Sequence, residues 1–381
     1  MDFEFTAEQK AFAKSVADFA AEKIAPFRHE NDVRGAYREG QLADIAAEGL
    51  FGLRVPAAYG GLELDAVSAG IALEELAAAD LTVCFPVLNA ALVAGVLAAN
   101  GTPEQLDRWL PPIASGEAVV AVCLTEPDHG TDAANIVMTA EPDGDGWVLS
   151  GVKASIMATA YSTHGLVFAR TGGPGAHGVT AFYVGLDDEH VTKERLSDLG
   201  CRAGGRGNLV FDGLRVGPED VVGGLGVGFV EVMRGFGFSR ALIALMAIAL
   251  GRVAIDEAIA HASKREAFGQ ALSKFQSVAF PLVEHATFMH AARLLSFQGL
   301  TKADEGLDPR LPSNMAKWWA PKAAMEAVHQ ALLVMGHFGW AEDGPIAQRL
   351  RDVIGLQLAD GTAAATKLVV SRHLFGKKFA P

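Results

Sequence analysis

The spacing of hydrophobic residues changes twice along the chain and divides it into three regions. Residues 1–117 carry apolar positions at helical spacing, broken by glycine and proline. In residues 118–222, short runs rich in Val, Phe and Thr alternate with Gly, Asp and Pro, which is typical of strands and turns. Helical spacing returns in residues 223–381. The pattern predicts an N-terminal helical domain, a central antiparallel β domain and a C-terminal helical domain.

Local signals place several helix ends. Thr6 and Gln9 have the spacing of a capping box, so the first helix should begin there. A later helix should end at Pro111 and Pro112, because proline lacks the N–H that a helix interior needs. The C-terminal region should contain four long helices, and four such helices without intervening strands indicate a bundle. Their predicted bounds are 229–264, 270–303, 312–338 and 361–374.

Composition and charge narrow the class of protein. Of the 381 residues, 50% are hydrophobic and 20% are charged, which excludes an intrinsically disordered chain. The net charge of -13 argues against a general nucleic-acid-binding surface, so any anionic ligand needs a local site. The longest apolar run, residues 241–251, is shorter than the ~20 residues that cross a bilayer. We therefore expect a buried core helix and no membrane insertion.

The cysteines and the N-terminal residues indicate the cellular compartment of the protein. Cys84, Cys123 and Cys201 are widely spaced and form no CxxC pair, which indicates buried thiols in a reducing compartment. The N-terminal residues are acidic where a signal peptide needs basic ones. Both observations predict a cytoplasmic protein.

Several common catalytic motifs are absent from the sequence. It contains no HExxH, no Cys/His cluster and no GxSxG, so neither a metal site nor a serine-hydrolase elbow is expected. GGLGVGF, residues 223–229, resembles a phosphate-binding glycine loop. It opens a helical region instead of a βαβ unit, which favours an interdomain turn.

Three segments carry candidate chemistry. LTEPDHGTD, residues 124–132, follows a strand and offers backbone N–H groups and hydroxyls to a ligand, although an ordinary Pro/Gly loop has the same composition. In SKREAFGQALSKFQS, residues 263–277, Arg265 could bind a pyrophosphate or interact favourably with the dipole at a helix C-terminus. In RLRDVIGLQLADGTAAATKL, residues 349–368, Asp360 could act chemically or cap the helix that follows.

Taken in order, these segments resemble the acyl-CoA dehydrogenase family, and the resemblance covers the whole chain. VPAAYGGLELD, LGCRAGGRGNLVFDGLRV, SRALIALMAIALG and Arg351-Asp352 resemble further signatures of that family. The resemblance implies a mostly α fold with a central antiparallel, β-barrel-like domain and a C-terminal four-helix bundle. It also implies a homotetramer with FAD bound between domains and across a subunit interface.

The resemblance assigns roles residue by residue, with Asp360 as the catalytic base. The positions implied to contact FAD are Leu124, Thr125, Gly130, Thr131, Ser155, Met157, Arg265, Phe268, Gln276, Gly336 and Thr362. Those implied to contact the acyl-CoA substrate are Thr131, Ser239, Arg240 and Gly361. Arg265, Phe268 and Gln276 would serve the FAD of a neighbouring subunit.

The implied activity is α,β-dehydrogenation of an acyl-CoA thioester. Asp360 would take the α-proton, flavin N5 would take the β-hydride, and an electron-transferring flavoprotein would be the acceptor. The backbone N–H of Asp360 and a ribityl hydroxyl of the flavin would stabilise the enolate oxygen.

The sequence departs from the family pattern at three of these positions. Asp360 replaces the usual glutamate, and Ser155 and Met157 replace a tryptophan and a threonine that contact the flavin. A shorter base and a missing ring suggest a branched or alicyclic acyl group. Two alternatives stay open: a flavoprotein oxidase resembling nitroalkane oxidases, and a structural subunit that has lost FAD.

Overall fold

The computed structural model describes residues 4–380, apart from the side chain of Glu231. Its N-terminal region is helical. The helices are α1 (Ala7–Lys23), α2 (Arg28–Arg34), α3 (Gln41–Ala47), α4 (Ala66–Ala79), α5 (Cys84–Asn100) and α6 (Pro103–Ala114). The capping box predicted at the start of α1 is confirmed, because the side chains of Thr6 and Gln9 each accept a hydrogen bond from the other's backbone N–H.

The predicted end of α6 is wrong. Pro111 and Pro112 lie inside the helix, which continues to Ala114. Proline has a fixed φ that suits a helix, and the cost of its missing N–H is offset here by packing. Trp109 and Ile113 are buried, and the N–H of Ser115 donates to the Pro111 carbonyl at 3.0 Å to close the last turn.

The central region forms an eight-stranded sheet in the order β6-β7-β3-β2-β4-β5-β8, with β1 paired to β4. The strands are β1 (Val120–Cys123), β2 (Thr139–Asp143), β3 (Gly146–Ile156), β4 (His164–Arg170), β5 (Val179–Gly185), β6 (Val191–Arg195), β7 (Gly207–Val216) and β8 (Val221–Val222). Most neighbours are antiparallel, as expected. β4 is the exception, since it pairs in parallel with β1 and with one residue of β2.

The C-terminal region is a helical bundle. Its elements are α7 (Gly228–Lys264), β9 (Glu266–Ala267), β10 (Gln270–Ala271), α8 (Gln276–Asp304), α9 (Arg310–Met335), α10 (His337–Trp340), α11 (Pro345–Gly355) and α12 (Ala363–Phe375). The prediction that α8 starts at residue 270 is wrong, because a short hairpin, β9–β10, precedes it. Both residues of its two-residue turn, Phe268 and Gly269, have positive φ, the requirement of a type I′ turn.

Helices α7 and α9 run parallel, and this direction decides which residues share an end of the bundle. Near its start, α7 places Arg240 3.2 Å from Asn314 of α9. Near its end, His261 packs its ring 5.7 Å from that of Phe338, just beyond α9. The α9 helix ends at Met335 instead of residue 338, because Gly336 leaves the helical backbone with φ 60°.

The apolar helices form the core. The run at residues 241–251 lies in the middle of α7, and each residue from Ala241 to Leu250 is at most 2% exposed. Residues 81–100 and 228–264 are long and apolar enough to cross a membrane, but 89% and 78% of their most apolar windows are buried inside the protein. They are therefore core helices. Cys84, Cys123 and Cys201 are buried free thiols.

The glycine-rich segment before α7 is a turn packed on the sheet. A Cβ at Gly228 would lie 2.4 Å from the backbone nitrogen of Ala181 in β5, so only glycine fits without displacing the strand. The Gly226 N–H donates to the Thr180 hydroxyl at 2.9 Å. These contacts support the interpretation of GGLGVGF as an interdomain turn.

A buried polar junction joins the three regions. Arg351 of α11 forms an ion pair with Asp32 of α2 at 2.5 Å. The next residue, Asp352, accepts a hydrogen bond of 2.5 Å from the N–H of Cys201, which lies between β6 and β7. Asp352 is 1% exposed, and burial raises its pKa to about 7 against the lowering effect of the Cys201 bond. The junction thus fixes the loop before β7 against the helix that leads to Asp360.

Asp352→Asn should change the pH dependence of stability between about pH 4 and 7. The folded wild type holds the Asp352 proton up to about pH 7, whereas the unfolded chain releases it near its usual 3.8. The wild type therefore loses stability relative to the variant as the pH rises, by at most about 4 kcal/mol. Urea unfolding at a series of pH values measures this difference.

The slope with pH is the test, since asparagine also alters the hydrogen bond with Gln348 by an amount that does not depend on pH. Asp18→Asn, at an exposed carboxylate, should leave the slope unchanged. Parallel curves for Asp352→Asn and the wild type would contradict the prediction.

Candidate functional site

The predicted base lies in a loop, residues 356–362, between α11 and α12. Asp360 has φ 50° and Gly361 has φ 104°, so two consecutive residues occupy the left-handed region. An aspartate there is uncommon and costs about 1–3 kcal/mol unless its surroundings hold it. Thr362, and not Asp360, caps α12 through a 3.4 Å hydrogen bond from the Ala365 N–H. Asp360 is therefore free of the structural role that the sequence left open.

Ser239 of α7 holds the carboxylate of Asp360. Its hydroxyl donates to Oδ2 at 2.6 Å, and the serine is fully buried. Within residues 4–380, the other oxygen, Oδ1, accepts no hydrogen bond, and the Asp360 N–H makes none either. One carboxylate oxygen and one backbone donor of the same residue thus remain available to a substrate.

Arg240 holds the backbone of the same residue. Its Nε donates to the Asp360 carbonyl at 3.0 Å, and its Nη1 donates to Asn314 at 3.2 Å. Burial lowers the pKa of Arg240, and the charge of Asp360 opposes that effect. Since Arg240 also lies over the Phe236 ring at 5.4 Å, its guanidinium is fixed on three sides.

Lys317 of α9 holds the next residue of the loop. Its Nζ donates to the Gly361 carbonyl at 3.0 Å, and the side chain is 1% exposed. The structure thus brings together Ser239, Arg240, Asp360 and Gly361, as predicted, and adds Lys317. We call these five residues the base cluster.

A second group of predicted residues lies on the rim of the sheet. Leu124 and Thr125 follow β1, and the Ala154 N–H donates to the Thr125 carbonyl at 2.8 Å, which places Ser155 beside Thr125. A buried ion pair supports this rim: Lys153 contacts Glu126 at 2.8 Å and also donates to the Leu124 carbonyl at 3.2 Å. Burial lowers the pKa of Lys153, and Glu126 opposes the effect.

Arg206, directly before β7, is a rim residue that the sequence did not indicate. It donates to the Ser155 hydroxyl at 2.8 Å and forms an ion pair with Asp198. The hydrogen bond with Asp198 raises the pKa of Arg206. The space left by the missing ring at residue 155 therefore borders a fixed guanidinium. The sulfur of Met157 lies near Gly204, where it would be 3.0 Å from an added Cβ.

The loop of Gly130 and Thr131 is the exposed part of the rim. Both residues are exposed, and nothing lies within 4 Å of the position that a Cβ would take at Gly130. The loop leads to Asn135, which binds Asp132 at 3.0 Å. This open backbone has room for a ligand.

The remaining predicted residues lie at the far end of the bundle. Arg265, Phe268 and Gln276 follow the end of α7, and Gly336 follows α9. Ser239 and Lys264 are about 37 Å apart along α7 at 1.5 Å per residue. Phe268 is 96% exposed, and within residues 4–380 the Arg265 side chain makes no hydrogen bond or ion pair. One chain therefore does not bring these residues to its own base cluster.

No group of three or more His, Cys, Asp or Glu residues that could hold a metal ion occurs in the described part of the chain. Two cavities among the described residues lie away from the base cluster. One, of about 140 Å³, is lined by residues that include Trp109 and Tyr183. The other, of about 380 Å³, lies beside Arg170.

Comparison with known families identifies the fold. Residues 6–117, 121–214 and 226–375 match the family models for the N-terminal, middle and C-terminal domains of acyl-CoA dehydrogenase. The chain belongs to the acyl-CoA dehydrogenase family. It is an oxidoreductase of an FAD-dependent family.

Individual relatives agree over nearly the whole length. The short-chain specific acyl-CoA dehydrogenase of Bos taurus mitochondria is 33% identical over 94% of this chain and 87% of its own. The 3-(aryl)acrylate reductase of Clostridium sporogenes (strain ATCC 15579) is 29% identical over 97% of this chain and 99% of its own.

Solved structures of acyl-CoA dehydrogenase type superimpose closely. Butyryl-CoA dehydrogenase from Megasphaera elsdenii has a TM-score of 0.95 at 30% identity, covering 98% of this chain and 100% of its own. A chain in a structure of the electron transferring flavoprotein of Acidaminococcus fermentans has a TM-score of 0.95 at 31% identity, covering 98% and 99%.

The residues present fit FAD. The rim offers hydroxyl and peptide groups at Thr125 and Thr131, and the space beside Gly130 is open. Arg265 supplies an exposed cation without a partner in residues 4–380, which suits a pyrophosphate. The ring that stacks on the flavin in the family pattern is absent at Ser155, and Arg206 is its polar neighbour here.

Lys317 carried a signal in the sequence that went unused. It is a single lysine among the apolar residues Ala316, Trp318, Trp319 and Ala320. If its side chain faced solvent, part of this apolar segment of α9 would face solvent with it. Arg206 had no such signal, because its partner Ser155 is 51 residues away in the sequence.

Ser239→Ala should slow flavin reduction by an acyl-CoA thioester about tenfold or more. The change removes the hydrogen bond that fixes Oδ2 of Asp360, and such a bond to a charged group is worth about 1.5–3 kcal/mol. Stopped-flow absorbance of the flavin measures the rate. Ser239→Thr keeps the hydroxyl and should retain most of the rate. An alanine variant as fast as the wild type would show that Ser239 does not hold the base.

Proposed function

We propose that the protein is an FAD-dependent acyl-CoA dehydrogenase in which Asp360 removes the α-proton of a branched or alicyclic thioester. The base cluster is the observation that carries this proposal. Its carboxylate is fixed by Ser239 at 2.6 Å, with Oδ1 free to accept a proton among the described contacts. No other acid of the residues that the structure describes is held at the end of the bundle by Ser239 and Arg240.

The geometry of Asp360 suits proton removal next to a thioester carbonyl. The α-proton of a thioester is weakly acidic, so the oxygen that becomes negative needs a hydrogen-bond donor. The Asp360 N–H has no partner within residues 4–380 and can donate to that oxygen. Bound FAD supplies the acceptor for the hydride that leaves the β-carbon. Asp360 holds the α-proton on Oδ1 afterwards, while Ser239 stays on Oδ2.

The length of the base supports a compact, branched acyl group. Aspartate is one methylene shorter than the family's usual glutamate, and the reaction is sensitive to displacements of about 1 Å. The α-carbon must therefore approach the loop more closely, and a substituted α-carbon offers its single proton in one direction only. Arg206 occupies part of the surroundings of Ser155, so the absence of an aromatic ring at residue 155 leaves less free space than expected. The proposed branched acyl group therefore rests mainly on the short side chain of Asp360.

The position of Lys367 weakens the alternative of an oxidase resembling nitroalkane oxidases. Those relatives pair their aspartate with an arginine seven residues later, where Lys367 stands here. The Lys367 ammonium lies 4.5 Å from the centre of the Trp318 ring and makes no described hydrogen bond to Asp360. Peroxide release with nitroethane, but not with acyl-CoA thioesters, would decide for the oxidase.

We further propose a homotetramer that passes its electrons to an electron-transferring flavoprotein. The exposure of Arg265 and Phe268 at the far end of the bundle supports a cofactor site shared between subunits. The retention of Thr125, Thr131, Arg265 and Gln276 argues against a structural subunit that has lost FAD. The similarity to a chain from an electron transferring flavoprotein structure supports the acceptor. The three buried free thiols are compatible with the cytoplasm.

Asp360→Asn should abolish bleaching of the flavin by thioesters under anaerobic conditions. Asparagine keeps the size and an acceptor for Ser239 but cannot take a proton at this position. A panel of butyryl-CoA, isobutyryl-CoA, cyclohexane-1-carbonyl-CoA and 3-phenylpropanoyl-CoA tests the substrate class, and the wild type should react fastest with the branched or cyclic members. Unchanged bleaching by the variant refutes the base, and preference for butyryl-CoA refutes the substrate class.

Arg265→Met should weaken the retention of FAD without altering the fold, because the guanidinium has no described partner within its own chain. The flavin-to-protein ratio after gel filtration measures the loss. Lys264→Met removes the neighbouring exposed cation and serves as the control. Equal flavin retention in both variants would contradict a role for Arg265 at the cofactor.

A further inference from the structure

Lys317 is a buried cation that the reaction described above does not use. The residue lies on α9 with 1% of its surface exposed, and its ammonium donates to the Gly361 carbonyl at 3.0 Å. In the described part of the chain, no carboxylate oxygen lies within 4.0 Å of the Lys317 ammonium, the limit for an ion pair. The other fully buried lysine of the fold, Lys153, has such a partner in Glu126 at 2.8 Å.

A buried ammonium without a contacting carboxylate is costly. Taking the charge out of water is unfavourable, and one neutral carbonyl restores only part of the lost hydration. Burial accordingly lowers the pKa of Lys317 to about 8. A methionine would fill the same space without this cost, so the lysine has to contribute something other than stability.

The charged groups around Lys317 point to Asp360. Asp360 favours the cation, whereas Arg240 of α7 disfavours it. From α12, Lys367 lies over the ring of Trp318, the residue after Lys317. Asp360 is thus the acid that acts on Lys317. The ammonium therefore attracts the Asp360 carboxylate.

We propose that Lys317 is a positioning residue for α-proton removal: it fixes the Gly361 carbonyl and so keeps Asp360 aimed at the substrate. The inference rests on the proposed role of Asp360 as the base. Lys317 itself touches neither the substrate nor the proton that moves.

The hydrogen bonds of the loop show how this positioning works. Arg240 binds the carbonyl of residue 360 and Lys317 binds the carbonyl of residue 361, both at 3.0 Å. With two successive carbonyls fixed, the peptide planes on either side of Gly361 cannot rotate, although glycine alone would allow it. The backbone on the C-terminal side of Asp360 is then fixed, and with Ser239 on Oδ2 the free Oδ1 keeps its direction, as a near-attack geometry requires.

Lys317→Met tests the proposal in the FAD-loaded protein. Methionine has nearly the same length and no charge or donor. Anaerobic flavin reduction by the fastest thioester of the panel should slow at least tenfold, with less than a threefold change in the half-saturating thioester concentration. The melting temperature and the flavin content should stay at or above the wild-type values, since an unpaired buried charge has been removed.

The pH profile separates positioning from a merely structural role. Above about pH 8 the wild-type amine loses its positive charge, which weakens its hydrogen bond to the Gly361 carbonyl. The rate of flavin reduction in the wild type should therefore fall. The Lys317→Met rate should be low at every pH and show no such fall. Val328→Ala, a fully buried change further along α9, should lower the melting temperature yet retain the wild-type profile.

The outcomes distinguish this inference from the proposed function. If Asp360→Asn is inactive but Lys317→Met reduces flavin at the wild-type rate and with the wild-type profile, Lys317 has no positioning role and the base assignment stands. If Asp360→Asn is fully active, the proposed function fails and takes this inference with it. A Lys317→Met protein that loses its flavin or melts earlier, or a wild-type rate that does not fall above pH 8, also overturns the proposal.

Discussion

The hydrogen bonds that α7 and α9 make to residues 360 and 361 are the constraint on which the proposed chemistry depends. An aspartate at φ 50° is strained by itself, and three donors hold it there: the Ser239 hydroxyl at 2.6 Å, the Arg240 guanidinium at 3.0 Å and the Lys317 ammonium at 3.0 Å. They take up one carboxylate oxygen and two carbonyls. What remains unpaired in the described structure is one carboxylate oxygen and one N–H, the pair that removing a proton beside a carbonyl requires.

Because α7 and α9 pack in parallel, the residues that hold Asp360 and Gly361 lie at one end of the bundle and the ends of both helices lie at the other. Both helices contribute to the base cluster from their N-terminal halves, and both end at the far side, where His261 meets Phe338. The predicted cofactor residues at that side, among them Arg265, are about 37 Å from Ser239 along the helix. A chain built this way has its base and its exposed arginine at opposite ends of the bundle, which is the observation behind the proposed homotetramer. At the other boundary, Cys201 and Asp352 fix the sheet against α11.

Hydrophobic period was sufficient for the order of the three regions, and the resemblance to a family pointed to the residues of the base loop, whose role the local pattern left open. The errors of the sequence prediction share a physical cause. The period could not show that packing carries α6 through Pro111 and Pro112, or that the positive φ of Phe268 and Gly269 makes a hairpin before α8. The contacts of Lys317 with Gly361 and of Arg206 with Ser155 join residues 44 and 51 positions apart, so only the folded chain reveals them. The roles proposed for the cofactor residues remain predictions.

A kinetic isotope effect tests the central claim, that this site acts by removing an α-proton, most directly. The measurement is the anaerobic rate of flavin reduction by the fastest thioester of the panel, with hydrogen or deuterium on its α-carbon. If the free oxygen of Asp360 takes that proton in a rate-limiting step, the deuterated thioester should react several times more slowly. Deuterium on the β-carbon alone serves as the control, since a slower rate with that thioester shows that chemistry limits flavin reduction. If it does and the α-deuterated thioester still reacts as fast as the unlabelled one, the account is contradicted.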